Sequence, residues 1–308
     1  MPKRARGRRG RRVGGVAGRF WGQVLGPLRR GGADPTFRVT ADGAVWRVSR
    51  TPEGPGTLRV AADSVDAWGP GAGWMLGQLP GLMGELDDPD GFVAHHRVVA
   101  RAQHRNPGLR LCRTGLVLES LIPSVLEQKV TTTEAYRSWR HLVRRFGEPA
   151  PVPDVPGAPQ DLYVMPDART WALVPSWEWH RANVDAKRAD TVVRAVRVAA
   201  RLEEAAGMTY ERAKARLEAV PGIGPWTSAE TLQRSNGAPD ALTVGDLHLP
   251  GIVGYALTGR TGATDADMLE LLAPYEGQRH RAARLVLLTG LTPPRRGPRR
   301  APGRISHL

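Results

Sequence analysis

Polar and apolar positions divide the chain into a short strand-rich region and a longer helix-rich region. Between residues 36 and 62, the segments TFRVTADG, AVWRVSRT and GTLRVAAD are rich in β-branched and aromatic residues. They are separated by Asp-Gly and Pro-Glu-Gly-Pro-Gly turn signals, a pattern typical of a small antiparallel sheet. From about residue 109 onward, apolar residues recur at helical spacing almost to the end of the chain.

The apolar spacing also indicates where individual helices lie. Alanine and valine recur at i, i+3 and i+4 over residues 185–205, which predicts one amphipathic helix there. Thr209 precedes another helical segment and is a candidate N-cap. The predicted helices cover residues 70–104 with a break at Pro80-Gly81, 116–126, 133–146, 185–205, 209–219 and 265–288.

These patterns predict an α+β protein in which a mostly helical domain follows a small N-terminal antiparallel sheet. We expect a basic disordered tail over residues 1–34, an N-terminal α+β domain over 35–108, a helical domain over 109–292 and a second basic disordered tail over 293–308.

The strong positive charge of the chain comes from its two ends. The formal net charge is +14, but residues 1–31 hold ten Lys or Arg and residues 295–308 hold five, with no acidic residue in either segment. The remaining 29 basic residues face all 30 acidic residues. The folded body is therefore close to neutral, and a high isoelectric point by itself says little about nucleic-acid binding by that body. The ends can contact DNA phosphates or simply remain solvated.

Cysteine content and hydropathy exclude several kinds of site. Cys112 is the only cysteine, so the chain can form neither an internal disulfide nor a zinc or iron–sulfur site built from several cysteines. The sequence contains no run of about 18 apolar residues, so no segment is predicted to span a membrane. We therefore expect a cytoplasmic protein, associated with the nucleoid if it binds DNA.

The most specific motif lies in residues 209–237, TYERAKARLEAVPGIGPWTSAETLQRSNG. A helix leads into Pro221-Gly222-Ile223-Gly224-Pro225, and a second helix follows. Pro225 suits a first helical turn, and Gly237 suits a helix exit. The two glycines permit close backbone approach, and the amides that begin the second helix form a natural phosphate site. The alternative is a tight turn between helices that binds nothing.

This string resembles the hairpin of the helix-hairpin-helix DNA glycosylases, and most closely their 3-methyladenine DNA glycosylase II type. The resemblance covers roughly residues 110–290. It implies that duplex DNA is the partner, that the enzyme acts as a monomer, and that the hairpin holds a phosphate. The residues implied in DNA binding are Gly222, Gly224, Trp226, Thr227, Gln128 and Lys129.

The same resemblance assigns a catalytic role to Asp246. In such enzymes an aspartate follows the hairpin after one helix and a short loop, here DALTVGDLHLP over residues 240–250. A carboxylate there can stabilise positive charge on the deoxyribose and orient water. The alternative is that Asp246 only caps the next helix.

Bifunctional relatives carry a lysine in the hairpin that forms a Schiff base, and Trp226 occupies that position here. The resemblance therefore implies base release without strand cleavage. It also implies no required cofactor and no iron–sulfur cluster. A structural Na⁺ or K⁺ is expected on the backbone carbonyls of Glu218, Val220 and Ile223.

The base pocket is where the chain departs from the family pattern. Some relatives place an aromatic residue four positions after the lysine slot, where this chain has Glu230, and the last helix offers none. The candidate pocket residues are Tyr163, Trp177, Trp179 and His248. The alternative is that the tryptophans are core residues, as tryptophans more often are, and that His248 is a structural histidine.

Three functions remain open at this stage. The first is a monofunctional glycosylase that removes damaged bases, with alkylated purines as the substrate class that the resemblance implies. The second is a non-catalytic helix-hairpin-helix DNA-binding protein that lacks a working pocket. The third is a nucleic-acid scaffold that acts mainly through its arginine-rich ends.

Overall fold

The computed structural model describes residues 22–294 and residue 303. Most of the predicted tail 1–34 lies outside this range, but residues 22–34 are part of the fold, which corrects the prediction of disorder for them. Val24 and Leu25 are buried in the core beneath the sheet. Arg30 forms a buried ion pair with Glu127 at 2.7 Å. This segment is rich in glycine and arginine, so its composition did not indicate the few residues that anchor it to the fold. Of the predicted tail 293–308, only 293, 294 and 303 are described.

The predicted N-terminal sheet is confirmed as a four-stranded antiparallel meander. Its order is β1-β2-β3-β4, with Val45 opposite Val60 and Thr57 opposite Trp68. The fourth strand was not predicted because its four residues are too few to show a clear alternation. A two-stranded ribbon pairs residues 148–149 with residues 163–164 across a proline-rich stretch of the chain. The strands are β1 (Phe37–Val39), β2 (Val45–Thr51), β3 (Gly54–Val60), β4 (Val65–Trp68), β5 (Glu148–Pro149) and β6 (Tyr163–Val164).

Helices make up most of the remaining described residues. They are α1 (Ala72–Gly77), α2 (Leu79–Leu82), α3 (Arg97–Arg105), α4 (Val117–Leu126), α5 (Thr132–Phe146), α6 (Ala168–Ala172), α7 (Ser176–Arg181), α8 (Ala186–Arg197), α9 (Ala199–Glu203), α10 (Tyr210–Glu218), α11 (Pro225–Ser235), α12 (Leu249–Thr258), α13 (Asp265–Leu272) and α14 (Arg279–Leu288).

Local chemistry explains several of the helix ends. Thr131 and Glu134 form a capping box that begins α5. Val198 leaves the helical conformation and divides the predicted helix 185–205 into α8 and α9. Thr209 begins α10, as predicted, but its side chain makes no capping hydrogen bond. The predicted break at Pro80-Gly81 lies instead at Gln78, between α1 and α2, because proline is tolerated in a first turn.

Apolar side chains of the described residues form two helical cores in addition to those on the sheet. The larger helical core includes α4, α8 and both hairpin helices. The second combines α3 with α12, α13 and α14. Helix α3 therefore packs with the C-terminal helices, although sequence patterns placed it in the N-terminal domain 35–108. No described helix has the length and hydropathy that crossing a lipid bilayer requires.

A buried ion pair joins the last helix to the segment that follows the sheet. Both terminal nitrogens of the Arg281 guanidinium donate to the Asp87 carboxylate. The side chain of Arg281 is 2% exposed and that of Asp87 is 5% exposed. Asp87 also accepts a hydrogen bond from the backbone of Leu111 at 2.9 Å. This carboxylate therefore connects three separate parts of the chain.

We predict that Asp87→Ala lowers the free energy of unfolding by about 3–5 kcal/mol, because it leaves the Arg281 guanidinium buried without its partner. Urea unfolding measures the change. Asp161→Ala is the matched control, because it removes an exposed pair with Arg38 and should cost about 0–1 kcal/mol. Equal losses in the two variants would contradict the structural role of Asp87.

Candidate active site

The predicted hairpin is present as a tight turn between α10 and α11. The amide of Val220 donates to Leu217, and the amide of Ile223 donates back to the carbonyl of Val220 at 3.0 Å. Ile223 is buried in the helical core, as expected from its place between the glycines. The turn is therefore fixed both by its backbone hydrogen bonds and by an apolar anchor.

The two hairpin glycines have different structural roles. Gly222 has φ +99°, and a Cβ atom there would lie 2.2 Å from Oγ1 of Thr191 on α8. Gly224 has φ −107°, and a Cβ atom would meet nothing within 4 Å. Glycine is thus required at 222 by conformation and packing, whereas position 224 is open to the surroundings.

Helix α11 begins with free backbone donors. Its N-cap residue is Gly224, which has no side chain to cap the helix. Pro225 follows in the first turn. The amides of Trp226 and Thr227 therefore lie in the first turn, where a helix has no carbonyl partners of its own. Their positions at the positive end of the helix dipole suit an anionic group such as a phosphate.

The turn that carries Gln128 and Lys129 lies against this hairpin. Nε2 of Gln128 donates to the carbonyl of Gly222 at 3.0 Å and to Oγ1 of Thr227 at 2.8 Å. Thr227 is buried, so its side chain supports the hairpin from within. Lys129 is exposed and adopts a positive φ of 56°. The side-chain amide of Gln128 is thus hydrogen-bonded to the hairpin, whereas the side chain of Lys129 faces solvent.

The carbonyls proposed for a monovalent cation belong to the same turn. That of Val220 already accepts the Ile223 amide, and the side chain of Glu218 accepts a hydrogen bond from Ser228 at 2.6 Å. Cation binding at Glu218, Val220 and Ile223 stays a prediction.

Three donors orient the carboxylate of Asp246. Its Oδ2 accepts a hydrogen bond from Nε1 of Trp226 at 3.0 Å. Its Oδ1 accepts from the backbone amides of His248 and Leu249, each at 2.8 Å. The last of these amides begins α12, so Asp246 has the capping role that was its alternative interpretation and is also joined to the hairpin. The side chain is half-buried.

A cavity of about 270 Å³ opens beside Asp246. Residues from separate parts of the chain line it, including Val24 from the N-terminal segment, Glu230 from α11 and Arg284 from α14. No Phe, Tyr or Trp is among the lining residues of the described chain. The sequence indicated a lack of Phe, Tyr and Trp at position 230 and in the last helix. The same lack holds for the whole described lining of the cavity.

Polar groups in the lining form a connected network. Nη1 of Arg234 donates to Oε2 of Glu230 at 2.7 Å, and Oγ1 of Thr243 donates to Oε1 at 2.8 Å. Gln233 donates in turn to Thr243 at 2.7 Å. These bonds hold the Glu230 carboxylate on both oxygens.

The candidate aromatic residues of the base pocket lie elsewhere. Trp179 is buried in the helical core and stacks on Trp171 with ring centroids 5.8 Å apart. Trp177, on the same short helix, is 65% exposed, and Tyr163 lies in the ribbon strand β6. Neither these tryptophans nor Tyr163 line the cavity beside Asp246, whereas His248 does. Helix α7 directs one tryptophan inward and one outward, and neither direction leads to that cavity.

Sequence analysis missed most of the polar lining. Arg234 follows Glu230 by four residues, a spacing that places them together on one helix face and was a usable signal. Arg284 and His280 lie on α14, which was considered only for its lack of aromatic residues. Gln23 belongs to the segment that was expected to be disordered.

Solved structures with the same arrangement identify the fold. A 3-methyladenine DNA glycosylase from Archaeoglobus fulgidus aligns with a TM-score of 0.67 and 17% identity, over 85% of this chain and 92% of that one. An 8-oxoguanine glycosylase/lyase from Clostridium acetobutylicum, bound to DNA, aligns with a TM-score of 0.66 and 11% identity, over 87% and 90%. This chain has the helix-hairpin-helix DNA glycosylase fold. The resemblance carried by residues 209–237 is thereby confirmed at the level of the fold.

Sequence similarity is more local. A stretch of 143 residues is 33% identical to a probable bifunctional transcriptional activator/DNA repair enzyme AlkA from Mycobacterium tuberculosis. The stretch spans 46% of this chain and 28% of that relative, so the chain matches less than a third of it. No protein-family model matches the chain.

We predict that Gly222→Ala lowers the free energy of unfolding by about 1–3 kcal/mol, because alanine is strained at this φ and its Cβ would overlap Thr191. Gly224→Ala is the matched control, since its Cβ meets open space, and its stability should stay within about 0.5 kcal/mol of wild type. Chemical denaturation of both variants tests this, and a larger loss for Gly224→Ala would contradict the assigned roles.

Proposed function

We propose that this protein is a DNA base-excision glycosylase that hydrolyses the N-glycosidic bond of damaged bases and leaves an abasic site. One observation carries the proposal: the oriented carboxylate of Asp246 lies at a cavity and is hydrogen-bonded to Trp226 of the hairpin. A DNA-binding element and a candidate acid are thereby held in one geometry. The resemblance and the 3-methyladenine DNA glycosylase among the structural neighbours point to alkylated bases, with alkylated purines as the expected class.

The chemistry requires a base outside the helical stack. The bond between base and sugar is inaccessible in duplex DNA, so the nucleotide is flipped into a pocket. Departure of the base builds positive charge on the deoxyribose, as in glycoside hydrolysis. Asp246 then stabilises that charge and orients the attacking water. Its hydrogen bonds hold the carboxylate in place before the reaction, which reduces reorganisation in the transition state.

The hairpin supplies affinity for the DNA backbone. The amides of Trp226 and Thr227 bind one phosphate at the start of α11, and Gly224 leaves room for it. Gln128 keeps the hairpin in register with the turn that carries Lys129. Lys129 contacts the distorted duplex where the base has left.

Strand cleavage is not part of this proposal. A lyase step needs an amine nucleophile, and the corresponding hairpin position is Trp226, whose indole N–H is used to hold Asp246. The lysine on the hairpin helices is Lys214, on the helix before the turn. We propose further that the enzyme acts as a cytoplasmic, nucleoid-associated monomer on double-stranded DNA. It would require no catalytic cofactor but would hold a structural Na⁺ or K⁺ on the hairpin carbonyls.

A second candidate function is a non-catalytic DNA-binding protein. The cavity lining favours it, because the described lining residues include no Phe, Tyr or Trp on which a base could stack. Base release from damaged duplex DNA separates the two functions, since the second predicts binding without release.

We predict that Asp246→Asn lowers the rate of base release by about 10²–10⁴-fold, because the charge that stabilises the sugar cation is lost. Asparagine retains an oxygen for the amides of His248 and Leu249, so α12 keeps its cap. Trp226→Phe is the control that disturbs the same hydrogen bond and leaves the carboxylate intact. Release from damaged duplexes under single-turnover conditions measures both variants. Equal release by Asp246→Asn and wild type would rule out the catalytic role.

We predict that Gly224→Asp weakens binding to duplex DNA by at least about tenfold, because a carboxylate would face the phosphate and a charge-assisted hydrogen bond contributes about 1.5–3 kcal/mol. Gly224→Asn is the matched neutral control. Fluorescence anisotropy at two salt concentrations measures the affinities. Unchanged affinity of the aspartate variant would place the phosphate contact elsewhere.

A further inference from the structure

The cavity beside Asp246 carries an excess of positive charge. Arg110, Arg234 and Arg284 all line it, and the carboxylates of its lining are Glu230 and Asp246. Arg234 is paired with Glu230. Arg110 and Arg284 form no ion pair with any carboxylate among the described residues, so three guanidinium groups face two carboxylates and only one of the three is paired.

Arg284 is the more informative of these two groups. Its Nη2 donates to the backbone carbonyl of Gln23 at 3.2 Å, and the structure gives its other nitrogens no further acceptor within the described chain. Burial and the neighbouring Arg234 guanidinium lower the pKa of Arg284 from its ordinary value. A guanidinium in this position has unused donors directed at a cavity, and it gains most from a ligand that presents oxygen or nitrogen acceptors.

His280 adds a neutral group to the same lining. Burial, together with the positive charges of Arg284, Arg234 and Arg281, lowers its pKa well below the usual value, so the imidazole is uncharged at neutral pH. Its ring makes no hydrogen bond to any part of the chain that the structure describes. A neutral imidazole can either donate to or accept from a base.

Hydrogen bonds already engage both carboxylates of the lining, although each keeps its negative charge. Glu230 has both oxygens occupied by Arg234 and Thr243. Asp246 accepts from Trp226 and from two backbone amides. A cationic base would also find no Phe, Tyr or Trp ring for a cation–π contact among the described lining residues.

We propose that this cavity selects a neutral purine that presents a carbonyl oxygen, as deaminated or oxidised purines do, over a purine with a fixed positive charge such as an N7-alkylated one. The proposal rests on the glycosylase function proposed above and replaces the substrate class implied by resemblance. Arg284 and Arg234 would donate to the carbonyl of the flipped base. The Arg284 guanidinium, which is in no ion pair, repels a cationic base across a short distance.

Two duplexes that differ in the lesion test the selection directly. One carries a single hypoxanthine and the other a single 7-methylguanine, since both purines present a carbonyl at C6 but only the second has a fixed positive charge. The cationic base also leaves faster without enzyme. Release by the full chain is therefore expressed as the acceleration over spontaneous loss from each duplex.

The expected result is an acceleration at least about tenfold larger for hypoxanthine than for 7-methylguanine, a difference that corresponds to ~1.4 kcal/mol. Arg284→Met should reduce the acceleration for hypoxanthine and leave that for 7-methylguanine equal or larger. Arg197→Met, at an exposed position of α8 away from the cavity, is the matched control and should change neither. Binding to a duplex with an abasic site reports whether each variant remains folded and competent.

The outcomes separate this inference from the proposed function. A larger acceleration over spontaneous loss for 7-methylguanine than for hypoxanthine would overturn the inference and support a glycosylase for alkylated purines. Equal loss of both activities in Arg284→Met would overturn the assigned role of Arg284 in selection. Release of neither base, together with normal duplex binding, would overturn both the inference and the glycosylase and favour the non-catalytic alternative.

Discussion

The hydrogen bond from the indole of Trp226 to the carboxylate of Asp246 joins the two parts of the site. Trp226 belongs to the first turn of α11, immediately after the hairpin, and Asp246 belongs to the loop before α12. Two backbone amides hold the other carboxylate oxygen and begin α12 at the same time. A shift of the hairpin would therefore move the carboxylate, so the proposed phosphate contact and the proposed sugar chemistry would depend on the same contact.

The hairpin in turn depends on packing from two sides. Ile223 is buried in the larger helical core, and Gly222 lies so close to Thr191 that no side chain fits between them. Gln128 then joins the turn after α4 to the hairpin backbone. The geometry of the site is thus maintained by the helical core rather than by the loop itself, which is the usual way that a rigid scaffold positions functional groups on short loops.

The same cores also shape the cavity. It lies where the N-terminal segment, α11 and α14 meet, and Glu230, Arg234 and Arg284 project into it from these elements. The carbonyl groups of Gln23 and Pro27 accept hydrogen bonds from two of these arginines. A segment that looked like a solvated basic end is therefore one wall of the site, and it provides the acceptors that hold the arginines in place.

The amino-acid sequence by itself determined the helical character, the sheet and the hairpin, and these features depend on local signals: apolar periodicity, turn residues, and prolines and two glycines at fixed spacing. Asp246 was singled out only by the resemblance of the hairpin to a known family. Tertiary structure alone decided the composition of the cavity and the packing of residues 22–34, of which Val24, Leu25, Arg30 and Asp34 are buried. Cavity walls come from segments far apart in the chain, such as Val24 and Arg284, and no local pattern specifies which of them will meet. The fate of Trp177 and Trp179 shows the same limit, because the orientation of a short helix against its neighbours decides which tryptophan is buried.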